Sequence, residues 1–287
     1  VYLFKLLEKK VCINYYRKAL YNQFVFKRRE PKMSDWLNVS GKKVIVTGGS
    51  SGIGASIIDE LLEQGVVVVN FDLQPGKVEH DRLYYFQTDI SDRKQVEKNV
   101  AAVIEKLGKI DGLVNNAGIN VPGLLVDEAD PHGKFELSDS IFDKMIAINQ
   151  KGLFLMTQAV ARTMLKTHEG VIINMSSESG LEGSEGQSPY AATKAAVNSF
   201  TRSWSKELGK QGIRVVGIAP GIMEETGLRT EAYETALAYT RGITVEELRK
   251  NYDKTTTIPL GRSGKLSEVA DLVCYYLSDR SSYITGV

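Results

Sequence analysis

Histidine is scarce in this chain: 287 residues contain three, His80, His132 and His168. Proton transfer built on imidazole, the most frequent general base, has little to draw on. Cysteine is scarcer, with Cys12 and Cys274 far apart and no CxxC pair. That removes the grounds for a disulfide framework or a zinc site and suits a reducing, cytoplasmic setting. No apolar stretch reaches the ~18 uninterrupted residues needed to cross a bilayer. Thirty-six Lys and Arg stand against 35 Asp and Glu, so no overall excess of either sign recruits a nucleic acid or an anionic membrane.

That balance conceals two unlike parts. Residues 1–32 hold nine Lys or Arg and two acids, a net of +7, which leaves 27 basic and 33 acidic groups and a net of −6 for residues 33–287. The leading segment lacks the apolar core and small-residue cleavage site of a secretory signal. "MSDWLNVSGKKVIVTGG" starts at Met33 and runs straight into a strand pattern. The expected division is an extension over 1–32, upstream of or added to the natural protein, and one domain over 33–287.

Within 33–287, strand-like and helix-like stretches alternate. "KKVIVTGG" (42–49) and "VVVVNFD" (66–72) are β-branched runs without polar alternation, as in strands covered on both faces. Between them "GASIIDELLEQG" (54–65) is an amphipathic helix stopped by glycine. The pattern repeats: strand 83–89, helix 91–108 with a Ser91 cap, strand 109–118, helix 139–167, strand 170–177, helix 188–209, strand 213–221 and a last helix at 266–278. Alternation of this kind requires parallel pairing with right-handed crossovers, which is a doubly wound, Rossmann-like α/β sheet. Residues 222–260, richer in Thr, Glu, Tyr and Arg, read as a helical insertion over the mouth of the site.

"TGGSSGIG" (47–54) joins the first strand to the first helix. Glycines such as Gly48, Gly52 and Gly54, with Ser50, Ser51 and Ile53, give a turn that can approach a pyrophosphate at a helix N-terminus. Alone, such a turn equally serves any tight connection. The second strand, however, ends at Asp72, 18 residues beyond Gly54, where a carboxylate accepts from the adenosine ribose hydroxyls and repels a 2'-phosphate. With serines rather than a basic side chain in the turn, NAD is favoured over NADP.

"YAATK" (190–194) supplies the missing acid–base group. Tyr190 and Lys194 lie at i and i+4, on one helix face. A free phenol with a pKa near ~10 is a poor base at neutral pH; a neighbouring ammonium and a positively charged nicotinamide are expected to lower it.

These stretches, with "NNAG" (115–118), Asn149, Ser177 and "PG" (220–221), stand in the order and spacing of the short-chain dehydrogenase/reductase family, and the chain resembles that family from 40 to 286. The resemblance implies an NAD-dependent oxidoreductase with Asn149, Ser177, Tyr190 and Lys194 as catalytic groups. Tyr190 moves the proton, Ser177 bonds the reacting oxygen, Lys194 also holds the nicotinamide ribose, and Asn149 anchors a water linking Lys194 to solvent. It further implies contacts of Ile53 and Gly54 with the pyrophosphate, and of Asp89 and Ile90 with the adenine. Asn116, Ala117 and Gly118 would flank the adenosine, and Pro220, Gly221 and Ile222 the nicotinamide. The threonine that often follows "PG" is displaced to Thr226, which leaves its contact open. Members are commonly dimers or tetramers built on the two long helices. The family also continues into a final strand where this sequence stops at "YITGV".

The insertion is similar to that of bacterial members of the family that interconvert D-sorbitol 6-phosphate and D-fructose 6-phosphate. The expected ligand is thus a polyol or ketose phosphate touching Ser177, Glu178, Tyr190 and Arg229. Arg241, Arg249, Lys254, Arg262, Lys151 and the "DPHGK" loop (130–134) are further phosphate candidates. Competing readings are a family enzyme for a free sugar, a steroid or a 3-oxoacyl thioester, and a non-catalytic NAD-binding regulator.

Overall fold

Valine and isoleucine fill short runs that cannot satisfy a water-facing side, and each such run is a strand of one sheet. In the computed structural model, which describes residues 36–224, 226–227, 229–253 and 258–287, Leu37–Val287 is one compact unit. The extension 1–32, Met33, Glu225 and Lys254 lie outside the described residues.

The strands are β1 (Lys43–Thr47), β2 (Val67–Asp72), β3 (Leu83–Gln87), β4 (Gly112–Asn115), β5 (Gly170–Met175) and β6 (Ile213–Ile218). The helices are α1 (Gly52–Glu63), α2 (Arg93–Leu107), α3 (Asp139–Met145), α4 (Leu153–Met164), α5 (Ser179–Glu182), α6 (Ser188–Leu208), α7 (Glu231–Thr240), α8 (Val245–Asp253) and α9 (Leu266–Leu277). The sheet order is β3-β2-β1-β4-β5-β6, parallel at every pairing. The expected doubly wound α/β fold is therefore present, in one domain. Chain progression reverses between β1 and β4, and the loops leaving those strands open the crevice where such sheets bind ligands.

Alternate residues of each strand face opposite layers. Val44 and Val46 of β1 pack with Ile57 and Leu61 of α1 and Val273 of α9, whereas Ile45 packs with Val100 of α2 and Met156 and Val160 of α4. Burial of this apolar surface on both faces, at roughly 25 cal/mol per Å², fixes the register on which the loops depend. Helix α2 starts one residue later than expected at its cap: Asp92, not Ser91, accepts from the backbone N–H of Lys94 and Gln95. The hydroxyl of Ser91 donates instead to Asp89 at 2.7 Å.

The long helix expected over 139–167 is not one α-helix. Between α3 and α4, Ile146–Gly152 forms a π-helical segment, and Asn149 sits in it. The last residues run beside β6. The N–H of Gly286 donates to Val215 O and that of Gly217 to Val287 O, both at 2.8 Å, along the edge expected to lack its final strand. The pairing forms no seventh strand among the described residues. Among those residues, too, no helix is long and apolar enough to cross a membrane.

The insertion carries a small apolar cluster of its own, Leu237, Ala238 and Leu248. Two side-chain bonds fasten it to the body: Gln187 Nε2 donates to the Tyr233 hydroxyl at 2.6 Å, and the Tyr239 hydroxyl donates to buried Asp127 at 2.8 Å. Tyr239 also stacks on Phe135, ring centroids 4.3 Å apart.

Candidate active site

The glycine turn after β1 is built to let two loops touch. Gly48 has φ +65, and a Cβ there would lie 2.8 Å from the Ala117 Cα; a Cβ on Gly54 would lie 2.1 Å from Gly48 O. Only hydrogen fits at either position. Asn116 completes the seam by donating to Thr47 O and Gly48 O, each at 3.0 Å. From β2, Asn70 holds the turn from beneath, accepting from the Gly49 N–H at 3.1 Å and donating to Ser50 Oγ at 3.0 Å. Asn70 was missed from sequence, although a lone amide inside "VVVVNFD" was its signal.

A crevice opens above this seam. Gly48, Ser51, Gly52 and Ile53 form one wall, with Asp72, Asp89 and Ile90 at one end. Asn116, Ala117 and Gly118 form the other wall, and Tyr190, Lys194 and Pro220 close the far end. Four residues expected to face a cofactor do not line it. Gly54 is spent on packing against Gly48 and Asn116. Ser50 turns back, its N–H donating to Asp72 at 3.0 Å and its hydroxyl to Gln74 O at 2.5 Å. Gly221 and Ile222 line the adjoining cavity instead. Thr226, whose contact was left open, returns to line both spaces.

That adjoining cavity lies between the end of β5 and the insertion. Ser177, Glu178 and Tyr190 bound it on the body side, and Arg229, Tyr233 and Arg241 on the insertion side. Tyr190 is shared by the two spaces, with Ile53, Ser176, Pro220 and Thr226, so its phenol can face a reactant in one and a dinucleotide in the other.

All four residues of the expected tetrad are grouped here. Asn149 accepts from the Ile119 N–H at 2.9 Å and donates to Ile119 O at 2.9 Å and to Thr193 Oγ1 at 3.1 Å. The loop after β4 is thereby tied to α6. Ser177 accepts from Ser179 Oγ at 2.9 Å, while Ser176 donates to Lys194 O at 3.0 Å. Ser177 lines the adjoining cavity and Ser176 lines both spaces. Lys194, 6% exposed, donates to Met175 O at 2.7 Å and lies 5.7 Å from the Tyr190 ring centroid.

In the cofactor-free protein burial raises the Tyr190 phenol above its ordinary value, with the neighbouring Ser177 hydroxyl pulling the other way. The Lys194 ammonium is aimed at the Met175 carbonyl and is itself desolvated, so the expected lowering falls to the nicotinamide charge that arrives with the cofactor. Burial brings Lys194 down from 10.5 to about 8.

The lysine's burial has a cost. A lowered ammonium pKa penalises the folded state fully below about 8, and the penalty fades as pH rises from there to 10.5. At 1.36 kcal/mol per unit, its ceiling is about 3 kcal/mol. Lys194→Met, after losing the bond to Met175 O, is expected to stabilise the cofactor-free protein by about 1–2 kcal/mol at pH 6.5. The gain should shrink by pH 10, as scanning calorimetry at the two pH values would record; an unchanged or lower Tm at pH 6.5 contradicts it.

The insertion's cations sort themselves by partner. Arg249 is bound to Glu234 through Nε at 2.9 Å and Nη2 at 2.6 Å. Arg262 is bound to Glu268, whose carboxyl this pairing pulls down to about 2. Arg229 donates to Met223 O and lies over Tyr252, 4.0 Å from its ring centroid. Neither Lys151 nor the 130–134 loop lines the cavity beside Tyr190. Among the described residues no group of three or more His, Cys, Asp or Glu could hold a metal ion.

The profile of the short chain dehydrogenase family matches residues 42–237. Sorbitol-6-phosphate 2-dehydrogenase of Klebsiella pneumoniae is 63% identical over 257 residues, covering 89% of this chain and 96% of that protein. Among solved structures, the ligand-free aldohexose dehydrogenase of Thermoplasma acidophilum superposes with a TM-score of 0.74 at 25% identity, covering 87% of this chain and 92% of the other. The 3-ketoacyl-(acyl-carrier-protein) reductase of Brucella melitensis complexed with NADH superposes with a TM-score of 0.71 at 28% identity, covering 87% and 96%.

Proposed function

The chain belongs to the short-chain dehydrogenase family, and from that premise we propose that it transfers hydride between NAD and a secondary alcohol or ketone, interconverting D-sorbitol 6-phosphate and D-fructose 6-phosphate. The observation that carries the substrate is the 63% identity to the Klebsiella enzyme over nearly its whole length. The residues present fit a dinucleotide: the cradle around Gly48 excludes any side chain, and Asp72 stands at the adenosine end without a basic neighbour in the turn. Bound NAD supplies the hydride acceptor and donor.

The chain's own residues do the rest. Ser51, Gly52 and Ile53 cradle the pyrophosphate, and Asp72 accepts from the adenosine ribose. Ser177 orients the reacting oxygen. Tyr190 takes the hydroxyl proton during oxidation and returns it during reduction. Lys194 fixes the nicotinamide ribose and keeps positive charge beside the phenol, and Asn149 ties Ile119 of the loop after β4 to Thr193, next to Lys194. Glu178 accepts from hydroxyls next to the reacting carbon.

We read the molecule as a cytoplasmic homodimer or homotetramer with its catalytic domain at 33–287. Exposed Phe142 and Phe154 on α3 and α4 support the assembly, and the buried free thiol of Cys274 suits a reducing compartment.

The test is NADH formation with D-sorbitol 6-phosphate against free sorbitol. A phosphate held by charge-assisted bonds should raise kcat/KM at least about 100-fold. Equal rates would remove the sugar-phosphate reading.

A further inference from the structure

The cavity beside Tyr190 is polarised along its length, and its two ends call for different parts of one ligand. At the body end, the Glu178 carboxylate follows Ser177 directly and lies over Gly221, where an added Cβ would sit 2.7 Å from Oε2. This end accepts hydrogen bonds and repels an anion. At the insertion end stand two guanidinium groups, Arg229 and Arg241. The second acid lining the cavity, Glu224, is engaged elsewhere, its Oε1 accepting from the Leu266 N–H at 2.8 Å.

The two arginines differ in what they have left to offer. Arg229 is committed to Met223 O and to the face of Tyr252. The Arg241 side chain makes no hydrogen bond or ion pair among the described residues and is not among those with a further unprinted partner. It follows directly on α7, the helix that Gln187 and Asp127 fasten to the body, so its backbone is fixed while its donors are uncommitted. A planar fork with free donors beside a second fixed cation suits a phosphate dianion.

The same cavity supplies polyol partners. The Tyr233 hydroxyl accepts from Gln187, which leaves its own proton free to donate, and burial holds that proton on by raising the phenol to about 12. Asn120 Oδ1 is buried without a protein partner and lines the same space. One donor and one acceptor thus line the cavity together with the carboxylate and the two guanidinium groups.

We propose that Arg241 is the residue that reads the substrate's phosphate, with Arg229 as a second, fixed cation, so that a phosphorylated polyol binds with its reacting carbon at Ser177 and Tyr190 and its phosphate under the start of the α7–α8 turn. The proposal rests on the sugar-phosphate reading above and adds the orientation and the residue that enforces it.

The experiment compares wild type with Arg241→Ala and Arg241→Lys, using D-sorbitol 6-phosphate and free sorbitol at saturating NAD. Arg241 is exposed and unpaired, so its removal leaves packing untouched; unchanged NAD affinity and Tm verify this. Arg241→Ala should raise KM for the phosphorylated substrate about ten- to a hundredfold, leave kcat within about threefold and leave free sorbitol unaffected, with Arg241→Lys in between. Inorganic phosphate, competitive against the phosphorylated substrate in wild type, should lose inhibition by a similar factor. If wild type prefers the phosphorylated substrate and Arg241→Ala keeps that preference, Arg241 is not the reader. If wild type shows no preference, the substrate reading itself fails, which is a separate result.

Discussion

Replacing Tyr190 with phenylalanine should lower turnover in both directions by about 10³-fold or more, while the dissociation constant for NAD stays within about twofold. General acid–base groups contribute roughly 10²–10⁴, and the three histidines of the chain offer no substitute at this position: His80, His132 and His168 are all absent from the walls of the two spaces. The phenol is raised by burial in the cofactor-free protein, so the deprotonated form needed for alcohol oxidation is scarce at neutral pH until positive charge arrives. Oxidation should therefore accelerate with rising pH in wild type. Affinity for the oxidised cofactor should rise with it, because a cation that lowers the phenol pKa binds better once the proton has gone. Stopped-flow turnover and fluorescence titration of cofactor binding across pH would measure both. A Phe variant that retains a tenth of wild-type turnover would show that another group carries the proton.

The second large effect concerns the choice of cofactor. Asp72→Ala should shift the ratio of kcat/KM for NAD over NADP by about 10²–10³ towards NADP. Part of the shift comes from lost charge-assisted bonds to the ribose, about 1.5–3 kcal/mol for such a contact. The remainder comes from removing a carboxylate that faces a phosphate dianion. Asp72 also accepts from the Ser50 N–H at 3.0 Å and the Leu73 N–H at 2.7 Å, so the alanine variant could loosen the turn as well. Asp72→Asn keeps one acceptor oxygen, enough for one of those two groups since they bond to different carboxylate oxygens, and so separates charge from part of the scaffolding: the ratio should move nearly as far. Steady-state kinetics with both cofactors measures it, and an unmoved ratio in either variant overturns the account of selectivity.

Much of the architecture was readable because it depends on local pattern. Runs such as "VVVVNFD" and "GVIINM" have few ways to hide their apolar side chains other than in a sheet covered on both faces, and the glycines around 48–54 mark a turn that tolerates no Cβ. Spacing placed Tyr190 and Lys194 on one helix face, whereas bringing Ser177 and Asn149 to them was implied by the family resemblance. What could not be read was whatever depends on partners distant in sequence. Tyr239 meets Asp127 across 112 residues. Asn115 and Asn174, two amides buried within strands, join Thr157 and Thr201 in a row beneath the crevice. Arg249 and Arg262 looked as available to a phosphate as Arg241 until their carboxylate partners were located. The burial of Tyr190, which raises its phenol in the cofactor-free protein, was hidden because spacing on a helix gives the distance between two side chains but not the solvent lost around them.

The segment of wider helix at Ile146–Gly152 bears on what lengths this protein tolerates. A π turn holds one residue more than the α turn it replaces. Deleting one residue other than Asn149 from Ile146–Gly152 would let the segment relax into ordinary α-helix while α3 and α4 keep their phase. The same change would swing the Asn149 amide off Ile119 and Thr193. Substitutions on this helix can accumulate at its surface, whereas its residue count is locked to the bearing of a single amide.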